Sequence, residues 1–300
     1  MSRAICIDAP STVGPTPPPR YGDAAMADPL DPVPGDVAAR GAHIRFVEAG
    51  QGSPVLLVHD LFASHDVWDL ILPRLATRLR AIALDLPGFG DSEKPPPRRF
   101  LYGLTAFAEA LVDVAAALGL GRMAVCGHGL GAAVALTTAA THPHLVERLI
   151  LIAPPVYPSR QDIYTRLVGI PGLGALLLKH IYGRRLFARH LEARSSPPFP
   201  HRIDRLYQAF NHPEAREAAY ATLLATTDHR PLAASIPRIT CPTLVVWGRG
   251  DRILPIDYGR RLTRELRSGR IEVFECSHAP HEELPDAFAQ TISAFLGRRD

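Results

Sequence analysis

From residue 42 onwards, short apolar runs alternate with segments of helical period, apart from one interruption. The runs lack strict alternation of polar and apolar positions, which is typical of strands buried on both faces of a sheet. They predict seven strands, at residues 44–48, 55–59, 81–85, 123–126, 149–152, 243–247 and 271–274. The helical period predicts helices at residues 67–79, 105–118, 130–140, 257–266 and 285–296. Alternation of strand and helix indicates an α/β fold, with a mostly parallel sheet and right-handed crossovers.

The interruption is the segment 156–237, which is helical in pattern and separates two strands that otherwise look consecutive. No structureless loop is that long in a compact domain, so we interpret it as an inserted helical cap, or lid, over the carboxyl edge of the sheet. Residues 1–41 are rich in proline and show no hydrophobic period, which predicts a disordered tail. The predicted core therefore comprises residues 42–155 and 238–300.

Composition narrows the class of protein. The chain has 300 residues, of which 47% are hydrophobic and 21% charged, and a formal net charge of only +3, so a strongly basic nucleic-acid binder is not indicated. We see no membrane span and no secretory signal, and the four cysteines form no CxxC pair. We expect a cytoplasmic protein with a small-molecule substrate or ligand, no nucleic-acid or membrane partner, no metal and no disulfide framework. The oligomeric state stays open.

The predicted strand 123–126 runs into the glycine-rich turn Gly127-His128-Gly129-Leu130-Gly131 and then a helix. A dinucleotide fingerprint would need an acid at the end of the next strand, but residues 150–154 read ILIAP. We therefore expect no dinucleotide cofactor. The other interpretation is a nucleophile elbow of the GxSxG type, with Gly129 where the serine should be.

Four further segments, in the same order along the chain, support the second interpretation. Together with the turn, they make residues 42–300 similar to the α/β-hydrolase family of the type with a helical cap. The segments are 55–59 (VLLVH), 85–92 (DLPGFGDS), 244–251 (LVVWGRGD) and 277–283 (SHAPHEE). The resemblance implies an α/β-hydrolase fold, in which a mostly parallel sheet is flanked by helices and carries the inserted cap.

The resemblance also implies roles for individual residues. His278 matches the catalytic base, Asp251 matches the acid that orients it, and the backbone N–H groups of Leu61 and Leu130 match the oxyanion hole. Gly129 matches the nucleophile position, which is vacant because glycine has no side chain and can form no acyl-enzyme. Glycine does adopt without penalty the positive φ that an elbow requires, so we expect the turn to be kept.

A second departure from the family pattern is Asp60, which follows His59 where the family usually has glycine. Two positions of its carboxylate are open. In the first it faces the pocket, where it would oppose an oxyanion or serve as a base or a cation anchor. In the second it points to solvent or caps a local N–H group. Asp60 is also the most interesting of four candidate substitutes for the missing nucleophile. We interpret Cys126 as buried and inert, Ser64 as a helix N-cap and His128 as structural.

Three functional hypotheses follow. The first is an enzyme that uses His278 and Asp251 as general acid and base on a small, mainly apolar, carbonyl-containing substrate, by hydrolysis, elimination, cyclisation or C–C cleavage, without a covalent serine intermediate. The second is an inactive pseudo-hydrolase that binds a ligand or partner, and the third is a serine-to-glycine variant of an ordinary esterase. We interpret the cap arginines 184, 185, 189 and 194 as a solvated helix face, with binding of an acidic substrate as the alternative.

Overall fold

Eight strands form one sheet in the computed structural model, which describes residues 30–158, 169–170, 172–194 and 200–298. In sequence order they are β1 (Val33–Ala39), β2 (Ala42–Ala49), β3 (Ser53–Val58), β4 (Leu79–Leu84), β5 (Met123–His128), β6 (Val146–Ile152), β7 (Thr243–Gly248) and β8 (Gly269–Phe274). Their spatial order is β1-β2-β4-β3-β5-β6-β7-β8. The strands from β4 to β8 in this order pair in parallel, whereas β2 is antiparallel to both β1 and β4. The predicted mostly parallel sheet is confirmed.

The first strand corrects the predicted extent of the tail. Val33–Ala39 pairs antiparallel with β2 along its whole length, although we assigned residues 1–41 to a disordered tail. Pro34 cannot donate a ladder hydrogen bond, but an edge strand such as β1 tolerates it. Because β2 supplies the pairing, the segment needs no hydrophobic period of its own to become a strand. Residues 1–29 of the predicted tail lie outside the described residues.

Both faces of the sheet are apolar, as the lack of strict alternation predicted. On β3, Leu56 and Val58 pack into one hydrophobic cluster and Val55 and Leu57 into another. The helices that cover the first cluster include α2 (Leu104–Ala117) and α3 (Leu130–Thr141); α1 (Leu72–Ala76) and the C-terminal helix Pro285–Leu296 cover the second.

The predicted helix 67–79 is wrong in extent. A 3₁₀ turn at His65–Trp68 is followed by the short helix α1 (Leu72–Ala76), with Pro73 in its first turn. Proline lacks an N–H group and fixes φ, so it begins a new helix more readily than it continues an old one. The other four predicted helices are present within one residue of their expected bounds, at Leu104–Ala117, Leu130–Thr141, Ile256–Glu265 and Pro285–Leu296.

The described part of segment 156–237 is helical and lies between β6 and β7 in the chain. Its helices are α4 (Leu173–Leu176), a π-helical turn (Leu177–Ile181), α5 (Arg184–Glu192), α6 (Pro200–Phe210), α7 (Pro213–Ala225), α8 (Arg230–Ser235) and a 3₁₀ turn (Ile236–Arg238). A cluster of aromatic rings joins these helices to the loop after β3, since Phe62 contacts Tyr182, Phe187 and Phe210. None of the helices in the described ranges is long and apolar enough to cross a membrane.

Candidate active site

A sharp turn joins β5 to α3 at the carboxyl edge of the sheet. Gly129 has φ 52° and ψ −113°, which confirms the positive φ expected at this position. Its N–H group donates a 2.9 Å hydrogen bond to the Ile152 carbonyl, which holds the turn against β6. The turn therefore has the backbone conformation expected of an elbow, and residue 129 carries no side chain.

The histidine and the acid predicted from the sequence meet beside this turn. His278 Nδ1 lies 2.7 Å from Asp251 Oδ2, and the histidine is only 2% exposed. Asp251 Oδ1 accepts hydrogen bonds from the N–H groups of Ile253 and Leu254, at 2.8 and 2.9 Å. Although burial opposes it, the hydrogen bond from His278 holds the pKa of Asp251 below its usual range. An ionised Asp251 fixes the proton on His278 Nδ1 and leaves Nε2 as the basic nitrogen.

Asp60 occupies the place expected for a substrate oxyanion. Its Oδ1 atom accepts hydrogen bonds from the N–H groups of Leu61 and Leu130, both at 2.6 Å. Its Oδ2 atom lies 3.8 Å from His278 Nε2. The carboxylate therefore fills the predicted oxyanion hole, and the side chain is 11% exposed. Of the alternatives weighed from the sequence, the structure rules out only a carboxylate that points to solvent.

The same carboxylate occupies the space that a side chain at residue 129 would need. A Cβ atom built on Gly129 would lie 2.1 Å from both Asp60 Cγ and Oδ1 and 2.2 Å from Oδ2. Real Cβ contacts are essentially never shorter than 3.0 Å. A serine at residue 129 and Asp60 in its present position are thus mutually exclusive.

Arg194, close after the C-terminal end of α5, completes the site from the cap side. Its Nη2 group pairs with Asp60 Oδ2, and its Nη1 donates a 2.7 Å hydrogen bond to the Leu61 carbonyl. Arg194 is 6% exposed, so its assignment to a solvated helix face was wrong. Burial lowers the pKa of Arg194 to about 10, which leaves the guanidinium charged at neutral pH. The arginine was misassigned because its partner lies 134 positions earlier in the chain.

A network of buried polar groups fixes the loop that carries Asp60. His59 Nδ1 lies 2.7 Å from the Asp60 carbonyl, and His59 Nε2 accepts a 3.0 Å hydrogen bond from the Leu86 N–H group. Asp85, which directly follows β4, accepts hydrogen bonds from the backbone N–H groups of His65 and Asp91, at 2.6 and 2.7 Å. Asp85 begins the segment DLPGFGDS, so this family-like motif positions the loop that carries Asp60.

Several buried histidines surround His278. The rings of His128 and His278 are 4.8 Å apart, and those of His128 and His281 are 4.7 Å apart. Burial, with His278 as the second cause, lowers the pKa of His128 well below its usual range. Its Nε2 atom has no hydrogen-bond partner among the described residues. His128 is therefore neutral and packs against His278.

Asp60, His128 and His278 are the described residues that could share a metal ion, since one ligand atom from each lies within 4.8 Å of the others. The guanidinium of Arg194 already pairs with the Asp60 carboxylate of this group. A second cation there would be repelled by the guanidinium, so the donor set does not favour a metal. We assign none to it.

The remaining substitutes for the nucleophile lie away from the chemistry. Cys126 is fully buried in the second hydrophobic cluster, and burial raises the pKa of its thiol, which makes it unreactive. Ser64 occupies the N-cap position of the His65–Trp68 turn, as expected, but its hydroxyl makes no capping hydrogen bond. Neither residue replaces the missing serine.

A small cavity of about 40 Å³ lies between the core and the cap helices. Most of its lining is apolar, including Ala63, Val67, Leu191, Ile203 and Leu206, with His128 and Arg194 as polar members. Arg202, also in the lining, pairs with Glu282, four residues after His278. Nothing in the sequence indicated the inward-facing arginines, since Arg194 and Arg202 lie among many exposed arginines of the cap.

Comparisons with known proteins identify the fold family of the chain. Residues 53–285 match the family described as alpha/beta hydrolase fold. A 2-hydroxy-6-oxo-2,4-heptadienoate hydrolase of Pseudomonas putida is 26% identical over 278 residues, covering 88% of this chain and 96% of that protein. An uncharacterized protein of Mycobacterium tuberculosis is 28% identical over 263 residues, which cover 83% of this chain and 76% of the relative.

Solved structures show the same fold. A membrane phospholipase A described as a bacterial virulence factor superposes with a TM-score of 0.74 at 28% identity, covering 89% of this chain and 86% of that one.

Proposed function

This chain belongs to the α/β hydrolase fold family, and we propose that it is an enzyme which acts on a small, mainly apolar, carbonyl-containing substrate by His–Asp acid–base chemistry, without a covalent serine intermediate. The observation that carries the proposal is the 2.7 Å contact between His278 Nδ1 and Asp251 Oδ2, in a site whose elbow has no nucleophile. His278 Nε2 is left as the base that removes a proton from substrate or from water.

The chemistry of the relatives supports a carbonyl substrate. The Pseudomonas putida relative is named for hydrolysis of a 6-oxo-dienoate, a small molecule with a ketone and a carboxylate. Such a substrate needs an apolar pocket for its carbon chain and a cation for its carboxylate. The cavity beneath the cap offers apolar side chains and the Arg194 guanidinium, although it must widen to admit the whole molecule.

Negative charge that develops on the substrate needs a partner other than the backbone N–H groups of Leu61 and Leu130. Leu61 and Leu130 donate to Asp60, so a substrate oxygen reaches them only if that carboxylate moves. Arg194 is the cation closest to this position and is fixed by the Leu61 carbonyl. We assign it the stabilisation of a developing enolate or oxyanion.

A turnover assay tests the role of His278. The probes are 2-hydroxy-6-oxo-2,4-heptadienoate and 4-nitrophenyl acetate, each with the parent protein, His278→Ala and the control His142→Ala. We expect His278→Ala to lower kcat/KM about 10²–10⁴-fold on the probe that is turned over, because it removes the general base. His142 contacts Glu109 at the surface, so its replacement leaves turnover unchanged. Full activity of His278→Ala would contradict the proposal.

A second candidate function is a pseudo-hydrolase that binds a ligand without turnover. The observation that favours it is the Asp60 carboxylate in the oxyanion hole, which excludes a substrate oxygen from the usual place. It predicts that the dienoate raises the melting temperature while no product forms, and that His278→Ala keeps this effect. A serine at residue 129 would collide with Asp60 in its present position, so the serine-to-glycine hypothesis requires that this carboxylate lies elsewhere in the serine form.

A further inference from the structure

We propose that Asp60 is itself a nucleophile, and that the site hydrolyses small alkyl electrophiles through a covalent ester on this carboxylate. The activity goes beyond the carbonyl chemistry proposed above and shares with it the His278–Asp251 pair. Carboxylates serve as nucleophiles in other enzymes when one oxygen is free to attack and the ester can be hydrolysed. Four features of the site meet these requirements.

The first feature is position. The Asp60 carboxylate lies where the first atom of a side chain at residue 129 would be, within 2.1–2.2 Å of it. The carboxylate of Asp60, on the loop after β3, therefore fills the space that a side chain at residue 129 would occupy. It lies only a few ångströms from the place of a nucleophile carried by residue 129 itself. The absence of a side chain at residue 129 is a steric requirement for this arrangement.

The second feature is the difference between the two carboxylate oxygens. Oδ1 is held by the N–H groups of Leu61 and Leu130, each at 2.6 Å, whereas Oδ2 faces His278 Nε2 and Arg194. If Oδ2 attacks, Oδ1 becomes the ester carbonyl oxygen and already lies between two oxyanion donors. The hole then stabilises the second step, in which water adds to the ester.

The third feature is a base within reach of that ester. His278 Nε2 lies 3.8 Å from Asp60 Oδ2, and Asp251 fixes its proton on the other nitrogen. Water between Nε2 and Asp60 Cγ can therefore lose a proton to His278 while its oxygen adds to Cγ.

The fourth feature is Arg194, a buried guanidinium beside the attacking oxygen, which can transfer its contact from Oδ2 to a departing anion.

The reaction balances with water as the only co-reactant. Asp60 Oδ2 forms a bond to the substrate carbon while the carbon–halogen bond breaks, and halide leaves with the electron pair beside Arg194. Water then adds to Cγ, its proton goes to His278 and the electron pair of the carbonyl moves to Oδ1. When the intermediate collapses, the Cγ–Oδ2 bond breaks and the alcohol takes the proton from His278. The second proton of the water, which remains on the new carboxyl oxygen, is released to solvent. The Asp60 carboxylate is thus regenerated with one oxygen from water.

Mass spectrometry with 1-bromobutane tests the proposal. In His278→Gln, hydrolysis of the ester is blocked, so we expect a butyl group to accumulate on the peptide that contains Asp60. The variant Asp60→Asn/His278→Gln should show no such group, and Asp257→Asn/His278→Gln should retain it, because Asp257 is an exposed aspartate that pairs with Arg260 on the helix Ile256–Glu265. With the parent protein in ¹⁸O-labelled water, repeated turnover should place ¹⁸O in the Asp60 carboxylate.

The outcomes separate this inference from the proposed function. Without a butyl ester on Asp60 in His278→Gln and without ¹⁸O in the parent protein, the inference is overturned, whether or not the dienoate is hydrolysed. An ester that forms equally when Asp60 is replaced also overturns it. Turnover of the dienoate without an ester supports the acid–base function alone, and an ester without dienoate turnover supports the nucleophile alone. The ¹⁸O label does not depend on the folding of any variant.

Discussion

Two loops face each other across the site, and they differ in how far they keep the arrangement of a hydrolase. The loop after β8 places His278 against Asp251 at 2.7 Å, as the family resemblance implies. The loop after β3 instead carries Asp60, whose carboxylate fills the oxyanion hole and approaches the vacant position on Gly129. One side of the site thus holds a His–Asp pair in the expected arrangement, while the other places a carboxylate where the resemblance predicts an oxyanion hole.

The comparison shows that the two departures from the family pattern are sterically coupled. A serine at residue 129 does not fit while Asp60 keeps its position, and Asp60 keeps it through two backbone N–H groups and Arg194. Changing one residue alone leaves the other in the way. Changes to the two loops should therefore combine in a strongly non-additive way.

The largest expected effect comes from rebuilding the elbow and emptying the hole together. We expect Gly129→Ser/Asp60→Gly to hydrolyse 4-nitrophenyl acetate at least about 10³-fold faster than either single variant, since loss of a triad serine costs on the order of 10⁶ in kcat. Gly129→Ser alone should stay near the parent rate, because Asp60 lies 2.1 Å from the new Cβ. Initial rates from released nitrophenol give the comparison.

His278→Ala in the double variant is the control, and it should remove the gain because the serine would have no base. High activity of Gly129→Ser by itself would contradict the steric coupling of the two loops.

The second expected effect concerns the cation that stabilises Asp60. Arg194→Met leaves a buried carboxylate without its ion-pair partner, which should lower the free energy of unfolding by roughly 3 kcal/mol. The matched control is Arg184→Met at the start of α5, the cap helix that Arg194 follows, since the pair of Arg184 with Asp204 is exposed at both side chains. We expect that control to cost less than about 1 kcal/mol. Urea unfolding of both variants measures the difference.

Asp60→Asn/Arg194→Met should recover part of the loss, because the uncompensated charge is then absent. Equal losses for Arg194→Met and Arg184→Met would show that the buried pair does not stabilise the site.

The smallest expected effect is a pH dependence in the network behind Asp60. Burial lowers the pKa of His65, but the hydrogen bond to Asp85 and the negative charges of Asp85, Asp66 and Asp91 raise it by more. The pKa of His65 is therefore raised above 6.5, although His59 also lies close by. A raised pKa means that its contribution to stability is complete below pH 6.5 and is lost as the pH rises through the folded-state value. Replacing His65 with Gln should therefore cost about 2 kcal/mol at pH 5.5 and less at pH 9.

Urea unfolding of the parent protein and His65→Gln at both pH values measures this contribution. If the difference between the two proteins is the same at pH 5.5 and pH 9, His65 is not charged in the folded state at the lower pH.

The main elements of the fold were predictable because they depend on local patterns. Seven of the eight strands and four of the five predicted helices lie close to their expected positions. The exceptions have physical reasons. The strand Val33–Ala39 depends on pairing with β2, and the predicted helix 67–79 is divided at Pro73. A hydrophobic period records neither the pairing of one strand with another nor the effect of a proline on helix bounds.

The candidate site was predictable only in part. Motif order pointed to His278, Asp251 and Gly129, and the structure brings them together at one edge of the sheet. The position of the Asp60 carboxylate could not be chosen from the sequence, because its hydrogen-bond partner Leu130 lies 70 residues away. Arg194 was assigned to the wrong environment for the same reason, since it reaches the Leu61 carbonyl across 133 residues.

The sequence by itself determined an alternating α/β chain, a glycine elbow with positive φ and a histidine and an aspartate in the places of a base and its orienting acid. The α/β pattern and the glycine turn follow from residue type and period, and the places of the histidine and the aspartate are what the resemblance to the family implies. Only the tertiary structure decided that Asp60 fills the oxyanion hole, excludes a side chain at residue 129 and pairs with a cap arginine. Those contacts join distant parts of the chain, and their geometry depends on packing distances of a few ångströms that no local pattern records.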